Sequence, residues 1–359
     1  FPQYPLNYRE YMYVTNSGGN TVSVYDVVNV RVDRDLIVGH NPIALTPSLT
    51  RNEIYVVNQG APGESGSVSI INAEINRVVA TIRVRRRPSA IVLGPKNDLA
   101  YVANSGSNNL SVVDLKKRRE IGVIPAGQEP VALRLSPDGD SLVVANQSGG
   151  SVSIIDPASR TVRSSIDGCP GADDVVILPD SSKAFVACSA GHQIMAIALA
   201  RPKTHPGSSD AVEALLDVGH GPAQIALKPD GGEVFVANSL SDTVSEIITG
   251  TDDVLGAYIM GDGPVFGLAS RDNSLLYVGN VHSQEVTVYS IDDGKRVGAI
   301  HVGDGPSAMA FSAAGHLLFV VDSRSGDIAV VRTSTGSLFT FLPAGRSPNA
   351  IVDKAFTAQ

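Results

Sequence analysis

The chain of 359 residues is poor in cysteine and in charge, and it contains no long apolar run. Its two Cys are too few for a disulfide framework. No apolar stretch approaches the roughly 20 residues that cross a bilayer, so we expect no membrane span. No apolar stretch keeps a helical period long enough to predict a helix, which favours an all-β fold.

An excess of basic residues and the common catalytic sequence motifs are also missing. The formal net charge is −8, which argues against a nucleic-acid partner because such proteins usually carry a basic surface. The sequence contains no nucleophile elbow, no Walker loop and no zinc signature. We therefore assign no catalytic residue, no metal ligand and no cofactor. Whether the protein is an enzyme stays open, and a non-catalytic function is favoured.

What the sequence does contain is one segment that recurs eight times, about every 43 residues. Each copy begins with an aromatic or aliphatic residue, continues with small or β-branched residues, and in most repeats ends with Asn. A fixed period of this length indicates a repeat architecture rather than several unrelated domains. The copies begin at Tyr13, Tyr55, Tyr101, Val143, Phe185, Phe235, Tyr277 and Phe319.

Each repeat predicts four short β-strands. In the second repeat they begin near Pro42, Glu53, Ser67 and Val78, and turn-forming residues separate them. Short β-branched runs between turn formers are typical of strands. Because a lone four-stranded sheet cannot bury both of its faces, neighbouring sheets must stack, and radial stacking of antiparallel sheets gives a β-propeller.

The two ends of the chain predict how the ring closes. The first repeat lacks its innermost strand, whereas the tail at 348–354 has the sequence of one. We therefore expect this tail to pair with the strand at 11–16 and to complete the first blade, which otherwise spans 11–38. We predict a single domain over 1–359 with a lead-in at 1–10 and eight blades, and a seven-bladed ring is the alternative.

The recurrent segment resembles the signature of the YVTN family of β-propeller repeat proteins, as in residues 13–16 followed by 22–26. The likeness covers nearly all of residues 11–354. It implies a propeller, which in most members has seven blades, and a relation to bacterial surface-layer and periplasmic proteins, lactonase-type propellers and the propellers of respiratory reductases. No motif in this chain matches the haem ligands of the eight-bladed reductase relatives.

Both cysteines fall in the fifth blade. Cys169 precedes its first strand, and Cys188 ends its second strand, where most repeats have Asn. Antiparallel neighbours bring these two positions together, so we predict a disulfide, with two unpaired core cysteines as the alternative. A disulfide favours an oxidising compartment, and a start at Phe1 instead of Met indicates a removed leader or a shortened chain. We expect a periplasmic or extracellular protein.

The loops that enter the innermost strands are predicted to form a ring of ligand-binding residues at the channel mouth. In most of these loops Pro marks the strand entry, where its missing N–H costs least, and a polar or charged residue precedes it. Convergent polar groups at a concave mouth are the usual sign of a ligand site. The candidates are His40, Arg86, Glu129, His220, Asp262, Asp304 and Arg346.

Two interpretations of this ring compete. Asp262, Asp304 and Arg346 come from consecutive loops and are candidates to hold a cation or a small anion. His40 and His220 are expected to face each other across the channel, too far apart to share a metal ion. The alternative is an ion-paired, hydrated rim without a ligand. The Asn that ends most second strands is interpreted as a turn former that bonds nearby backbone.

Two insertions break the period. Residues 59–66 lengthen the second blade at the channel-mouth face, near His40, and residues 201–209 lengthen the fifth blade at the opposite face. Extra loops on a repeat scaffold often bind ligands. For the second insertion, a surface loop without a binding function is the simpler interpretation.

The function that these features predict is binding at the channel mouth. The leading hypothesis is a secreted, monomeric propeller that binds a protein partner or a small molecule without catalysis. One alternative is a lactonase-like hydrolase that uses rim carboxylates and Arg346. The other is a redox accessory propeller that works near a haem or a quinone.

Overall fold

The computed structural model describes residues 2–201 and 203–358. All regular structure in these residues is β, and 32 strands form eight separate four-stranded antiparallel sheets. Phe1, Pro202 in the second insertion and Gln359 lie outside the described residues. Within the described part of the chain, no helix is long and apolar enough to cross a membrane.

Each sheet is one blade, and its strands follow one another from the channel outward. The innermost strands are β4 (Pro42–Pro47), β8 (Pro88–Leu93), β12 (Pro130–Leu135), β16 (Ala172–Ile177), β20 (Pro222–Leu227), β24 (Pro264–Ala269), β28 (Pro306–Phe311) and β32 (Pro348–Thr357). The second strands are β1 (Tyr8–Asn16), β5 (Glu53–Asn58), β9 (Leu99–Asn104), β13 (Leu142–Asn146), β17 (Lys183–Cys188), β21 (Glu233–Asn238), β25 (Leu275–Asn280) and β29 (Leu317–Asp322).

The outer half of each blade is a hairpin. Its third strands are β2 (Thr21–Asp26), β6 (Ser65–Asn72), β10 (Asn109–Asp114), β14 (Ser151–Asp156), β18 (Gln193–Ala198), β22 (Thr243–Ile248), β26 (Glu285–Ser290) and β30 (Asp327–Arg332). Its outermost strands are β3 (Arg31–Ile37), β7 (Arg77–Arg86), β11 (Arg119–Pro125), β15 (Thr161–Asp167), β19 (Ala211–Asp217), β23 (Asp253–Ile259), β27 (Lys295–His301) and β31 (Ser337–Pro343).

The eight blades form a closed ring, because every innermost strand lies beside those of both neighbouring blades. The two chain ends complete the first blade. Strand β32 pairs antiparallel with β1, from Tyr8 opposite Thr357 to Asn16 opposite Pro348. The predicted closing pair is therefore confirmed and extends further than expected. The prediction of eight blades is also confirmed, and the seven-bladed alternative is wrong.

Apolar side chains of the middle strands fill the space between neighbouring sheets. In β5 and β21 every residue after the first is buried. The aromatic residue that opens the repeat segment is the largest of these side chains, and Tyr13, Tyr55 and Phe185 are 0% exposed. Burial of one such side chain contributes roughly 1.5–3 kcal/mol. The segment recurs because every junction between two blades needs this core.

The strands run between two ends of the ring. We call one end the rim face. It carries the loops that enter the innermost strands and the loops that join second to third strands, and it corresponds to the predicted channel mouth. We call the other end the turn face. It carries the turns that join first to second strands and third to fourth strands.

In six blades the second strand ends in Asn, and this residue joins two further segments of its blade. Its Nδ2 donates to a hydroxyl on the third strand, from Asn16 to Ser23 and from Asn280 to Thr287, both at 2.8 Å. The Gly of the incoming rim loop packs on the same amide, and a Cβ added at Gly345 would lie 2.6 Å from Cγ of Asn16. We call this Gly–Asn contact the clasp. The nearest acceptor of the Asn side chain is this hydroxyl and not a nearby backbone carbonyl. The interpretation of the Asn as a turn former that bonds backbone is therefore wrong on this point.

Blade five replaces the clasp with a covalent bond. Cys169 stands at the Gly position and Cys188 at the Asn position, and the two form the predicted disulfide, with Cα atoms 4.8 Å apart. Both residues are 0% exposed. The predicted disulfide is confirmed, and it joins the same two segments that the clasp joins elsewhere.

Blade eight keeps the Gly but has Asp322 in place of Asn. One carboxylate oxygen accepts a hydrogen bond from the Gly303 N–H at 2.9 Å, and the other is buried without a partner among the described residues. Burial, together with the nearby Asp327 carboxylate, raises the pKa of Asp322 to about 8. A carboxyl group that stays protonated in the folded protein lowers stability once the unfolded chain ionises.

Replacement of Asp322 by Asn should stabilise the protein at neutral pH. The folded pKa lies above the ordinary value of 3.8, so wild-type stability falls as the pH rises between that value and about 8. The Asp322→Asn protein escapes this loss. We expect no gain near pH 4 and a gain on the order of 2 kcal/mol at pH 8, measured by urea unfolding across this range.

The reverse change in blade six provides the matched control for Asp322→Asn. Asn238→Asp should destabilise the protein, and the loss should grow over the same pH range. Equal stability of Asp322→Asn and wild type at pH 8 would contradict the assignment of the raised pKa to Asp322.

Loss of the disulfide should destabilise the fold without changing its strand content. Cys169 and Cys188 are 19 residues apart, and a crosslink of that span contributes about 3 kcal/mol. The double variant Cys169→Ala, Cys188→Ala should lose this amount in urea unfolding. A reducing agent should destabilise the wild type and leave the double variant unchanged. A wild type that reductant does not affect would show that this bond contributes nothing.

Candidate functional site

Two backbone hydrogen bonds hold each incoming rim loop against the loop that follows the second strand of the same blade. Near His40, the N–H groups of Gln59 and Gly60 donate to the carbonyls of Asn41 and His40 at 3.0 and 3.1 Å. All eight blades repeat this pairing at 2.8 to 3.1 Å. The carbonyls equivalent to that of His40 belong to Arg86, Gln128, Pro170, His220, Asp262, Asp304 and Arg346.

The residue before each innermost strand has a positive φ. Glycine occupies this position in four blades, and the other four use Asn41, Arg87, Glu129 and Ser347. Glu129 is therefore one residue out of register with the other candidates, and Gln128 is the equivalent of His40. The Glu129 carboxylate accepts from the hydroxyl of Ser148 and lies 3.6 Å from the Arg87 guanidinium.

Most of the remaining candidates are exposed, and they do not form one cluster. Asp304 is partly exposed and lies 3.6 Å from the guanidinium of Arg324. Asp262, Arg86 and Arg346 are exposed, and their side chains have no hydrogen bond or ion pair with the described residues. The rim therefore does not bring Asp262, Asp304 and Arg346 into direct contact, and the carboxylate of Asp304 pairs with an arginine that the sequence analysis did not single out.

The histidines lie on opposite sides of the rim. His220, in the loop that enters blade six, stacks on His192 with ring centroids 4.5 Å apart. His40 lies in the loop that enters blade two and has no side-chain contact with either. Among the described residues, no three His, Cys, Asp or Glu side chains are grouped closely enough to hold a metal ion.

Sequence reasoning missed the side chains of the loops that join second to third strands. His282 and Arg324 both stand two residues after the strand-ending position, and each pairs through its backbone with a candidate residue, Asp262 or Asp304. The guanidinium of Arg324 donates to the carbonyl of Val281 at 3.1 Å. An alignment of these loops by their distance from the strand-ending residue finds both positions.

A shallow pocket of about 460 Å³ opens on the rim face between blades eight and one. Two arginines, Arg324 and Arg346, lie at its wall. We call it the rim pocket. Its lining residues are Ser323, Arg324, Ser325, Gly326, Ala344, Gly345, Arg346 and Ser347. The pocket has two cationic side chains and no carboxylate in its lining, an arrangement suited to an anion.

The innermost strands carry one further charged pair. Asp174 of β16 is buried, accepts a hydrogen bond from the Ile225 N–H at 3.0 Å and lies 3.5 Å from the guanidinium of Arg134. Burial raises the pKa of its carboxyl group, and Arg134 opposes this shift. The adjacent Asp173 contacts Gln147 instead. The two carboxylates thus have different partners, as expected for consecutive residues of a strand.

Part of the chain matches a known family. A model described as "Lactonase, 7-bladed beta-propeller" matches residues 10–165, which is less than half of the chain. The matched segment covers most of blades one to four, so it supports the resemblance to lactonase-type propellers there. It does not include Asp262, Asp304 or Arg346. No curated protein matches the chain.

Several solved structures share the fold. Dihydro-heme d1 dehydrogenase NirN in complex with DHE has 17% identity and a TM-score of 0.79, over 98% of this chain and 76% of that one. Apo AztD from Citrobacter koseri has 13% identity and a TM-score of 0.72, over 98% and 99%. Hydrazine synthase from Kuenenia stuttgartiensis has 23% identity and a TM-score of 0.61, over 77% and 91%. At these identities the likeness establishes the fold alone.

Proposed function

We propose that this protein is a non-catalytic binding propeller of an oxidising, extracytoplasmic compartment and that it takes a small anionic ligand at the rim pocket. The observation that carries the proposal is the guanidinium of Arg346, which lines the pocket without a partner among the described residues. The buried disulfide supports the compartment, because such bonds persist where thiols are oxidised.

The backbone under the rim pocket is held in place while the side chain of Arg346 is not. Gly18 donates its N–H to the carbonyl of Arg346 at 3.0 Å, and Ser17 donates to that of Ser347 at the same distance. The guanidinium of Arg324 is fixed on the blade-seven side, by the Val281 carbonyl and by Asp304. A carboxylate or a phosphate in the pocket would receive charge-assisted hydrogen bonds from the guanidinium of Arg346.

The rest of the chain makes this pair of cations selective. With a net charge of −8, the protein as a whole repels anions, so an anion is retained only near exposed cations. Asp304 keeps one arginine partly neutralised, which limits the affinity for inorganic ions. The pocket volume of about 460 Å³ suits a ligand larger than a single phosphate, such as a sugar acid.

Removal of the Arg346 side chain should weaken anion binding. We expect Arg346→Ala to bind gluconate and inorganic phosphate about 10- to 100-fold more weakly than wild type, since a hydrogen bond to a charged group contributes about 1.5–3 kcal/mol. Isothermal titration calorimetry at low salt measures the change, and Arg346→Lys should retain part of the affinity.

Arg86 supplies the matched control, because it occupies the equivalent loop position in blade three and also has no side-chain partner among the described residues. Arg86→Ala should bind both anions as wild type does. The proposal is contradicted if neither anion binds the wild type, or if the two alanine variants lose affinity equally.

A lactonase-like hydrolase is the second candidate, and the family match over residues 10–165 favours it. In this hypothesis the Asp304 carboxylate, oriented by Arg324, acts as the general base that takes a proton from the water attacking the carbonyl of a bound lactone. Hydrolysis of gluconolactone, followed by base uptake at constant pH, should then fall at least about 100-fold in Asp304→Asn. A fully active Asp304→Asn protein would remove that residue from the mechanism, and an inactive wild type would leave binding as the function.

A further inference from the structure

The positive charge of the chain is concentrated in blades two and three. Residues 77–119 contain ten Arg or Lys and only two Asp, which is a net charge of +8. The whole chain carries −8, so the remainder carries −16. The overall charge therefore conceals a strong separation of charge, and such a separation orients a charged partner before contact.

The basic residues come from two neighbouring outer strands and the turn between β10 and β11. In β7, residues 77, 79, 81, 83 and 85 form an exposed row, and three of them are Arg. β7 lies beside β11 of blade three. Arg85 forms an ion pair with Glu120 at 2.9 Å, and Arg118 donates to the Val79 carbonyl at 3.3 Å. One surface therefore contains Arg77, Arg83, Arg85 and residues 116–119, and we call it the basic flank.

The charge of the basic flank exceeds what an exposed strand edge requires. Edge strands commonly carry charges that prevent pairing with another chain. The other outermost strands have a net charge between −2 and +2, whereas β7 has four Arg and no carboxylate. The turn after β10 adds three consecutive basic residues, Lys116, Lys117 and Arg118. Because both exceptions lie on adjacent blades, they indicate a shared role in binding.

Three guanidinium groups of the basic flank are available to a partner. Arg77, Arg83 and Arg119 are exposed, and their side chains have no hydrogen bond or ion pair with the described residues. The other cations are partly neutralised, as in the contacts of Lys116 with Asp98 at 3.1 Å and of Lys117 with Asp114 at 3.5 Å. A carboxylate brought to an unpaired guanidinium can accept two parallel hydrogen bonds.

We infer that the basic flank binds an acidic segment of a partner protein, in which carboxylates alternate with neutral and apolar residues. The flank already holds carboxylates of its own, such as Asp98 and Glu120, and these repel a continuous anionic surface. They are compatible with a partner whose carboxylates are spaced to meet the unpaired arginines. The inference therefore rests on complementary charge and on the spacing of that charge.

Apolar side chains on the same two strands favour a protein over a lipid surface or a nucleic acid. Val79 and Val123 are 37% and 40% exposed. Apolar contacts surrounded by charged residues are typical of protein interfaces. Neither strand contains an aromatic residue, and the chain contains no Trp. The flank thus lacks the interfacial anchors of membrane proteins and the stacking groups of sites for single-stranded nucleic acid.

The test titrates labelled peptides with the full chain and measures fluorescence anisotropy at low salt. One peptide alternates Glu with Val, and a second of the same length alternates Glu with Ser. Phosphatidylglycerol vesicles and duplex DNA are the probes for the other two partner classes. We expect both peptides to bind, the valine peptide more tightly because it also contacts Val79 and Val123, and added salt to weaken both.

Replacement of the three unpaired arginines tests the site. The variant Arg77→Ser, Arg83→Ser, Arg119→Ser should bind both peptides about 10-fold more weakly, as expected for the loss of three exposed ion pairs. The matched control replaces Lys203, Lys295 and Arg296 with Ser, which removes the same charge from exposed positions on blades five and seven. The control should bind as wild type does.

A second variant tests the apolar part of the surface. Val79→Ser, Val123→Ser should bind the two peptides equally, since the preference for the valine peptide is then lost. The inference is overturned if neither peptide binds the wild type, if the two triple variants lose affinity equally, or if only the vesicles or the DNA bind. Because Arg346 is unchanged in all these variants, a failure of anion binding at the rim pocket does not affect this outcome.

Discussion

The attachment of each incoming rim loop to the end of the second strand of its own blade is the constraint on which the rest of the ring depends. Each blade is joined to the preceding one by a single loop, and the sheets share no hydrogen-bonded strand pair. The loop must therefore be held in place by its own blade. A Gly that admits no side chain, pressed on an Asn amide that is itself bonded to the third strand, fixes the loop to two strands at once.

The variations of the clasp show which part of it is indispensable. Blade five substitutes a disulfide, blade eight substitutes a carboxyl group that burial keeps protonated at neutral pH, and blade three has Arg85 where other loops have Gly. The two backbone hydrogen bonds of the rim loop persist in all three blades. The loop position is therefore the same in every blade, whereas the groups that secure it differ. The physical requirement is that the loop be attached to the second strand, and Asn is the residue that most blades use for this.

The strands, the blade count, the ring closure and the disulfide could be predicted from the sequence, because each follows from a period or from a position within it. The rim could be predicted only in part. Its loops were aligned by Pro and Gly, which locate the backbone and do not show which side chains meet. Arg324 was missed because its partner Asp304 lies twenty residues away and is brought near only by the pairing of two loops. Glu129 was placed one residue out of register because a charged residue at a positive φ was not anticipated.

The same reasoning explains why the candidate sites lie where they do. In a ring of equivalent blades, a side chain normally finds its partner at the same offset in its own or the next blade, as Tyr13 finds Asn76. A side chain without that partner is left open to solvent, and it can contact a ligand where it also lines a pocket. Arg346 is such a residue on the rim face. It borders on blade eight, whose rim loop carries Gly326. A closed propeller tolerates variation in these loops because its core lies between the sheets and not in the loops.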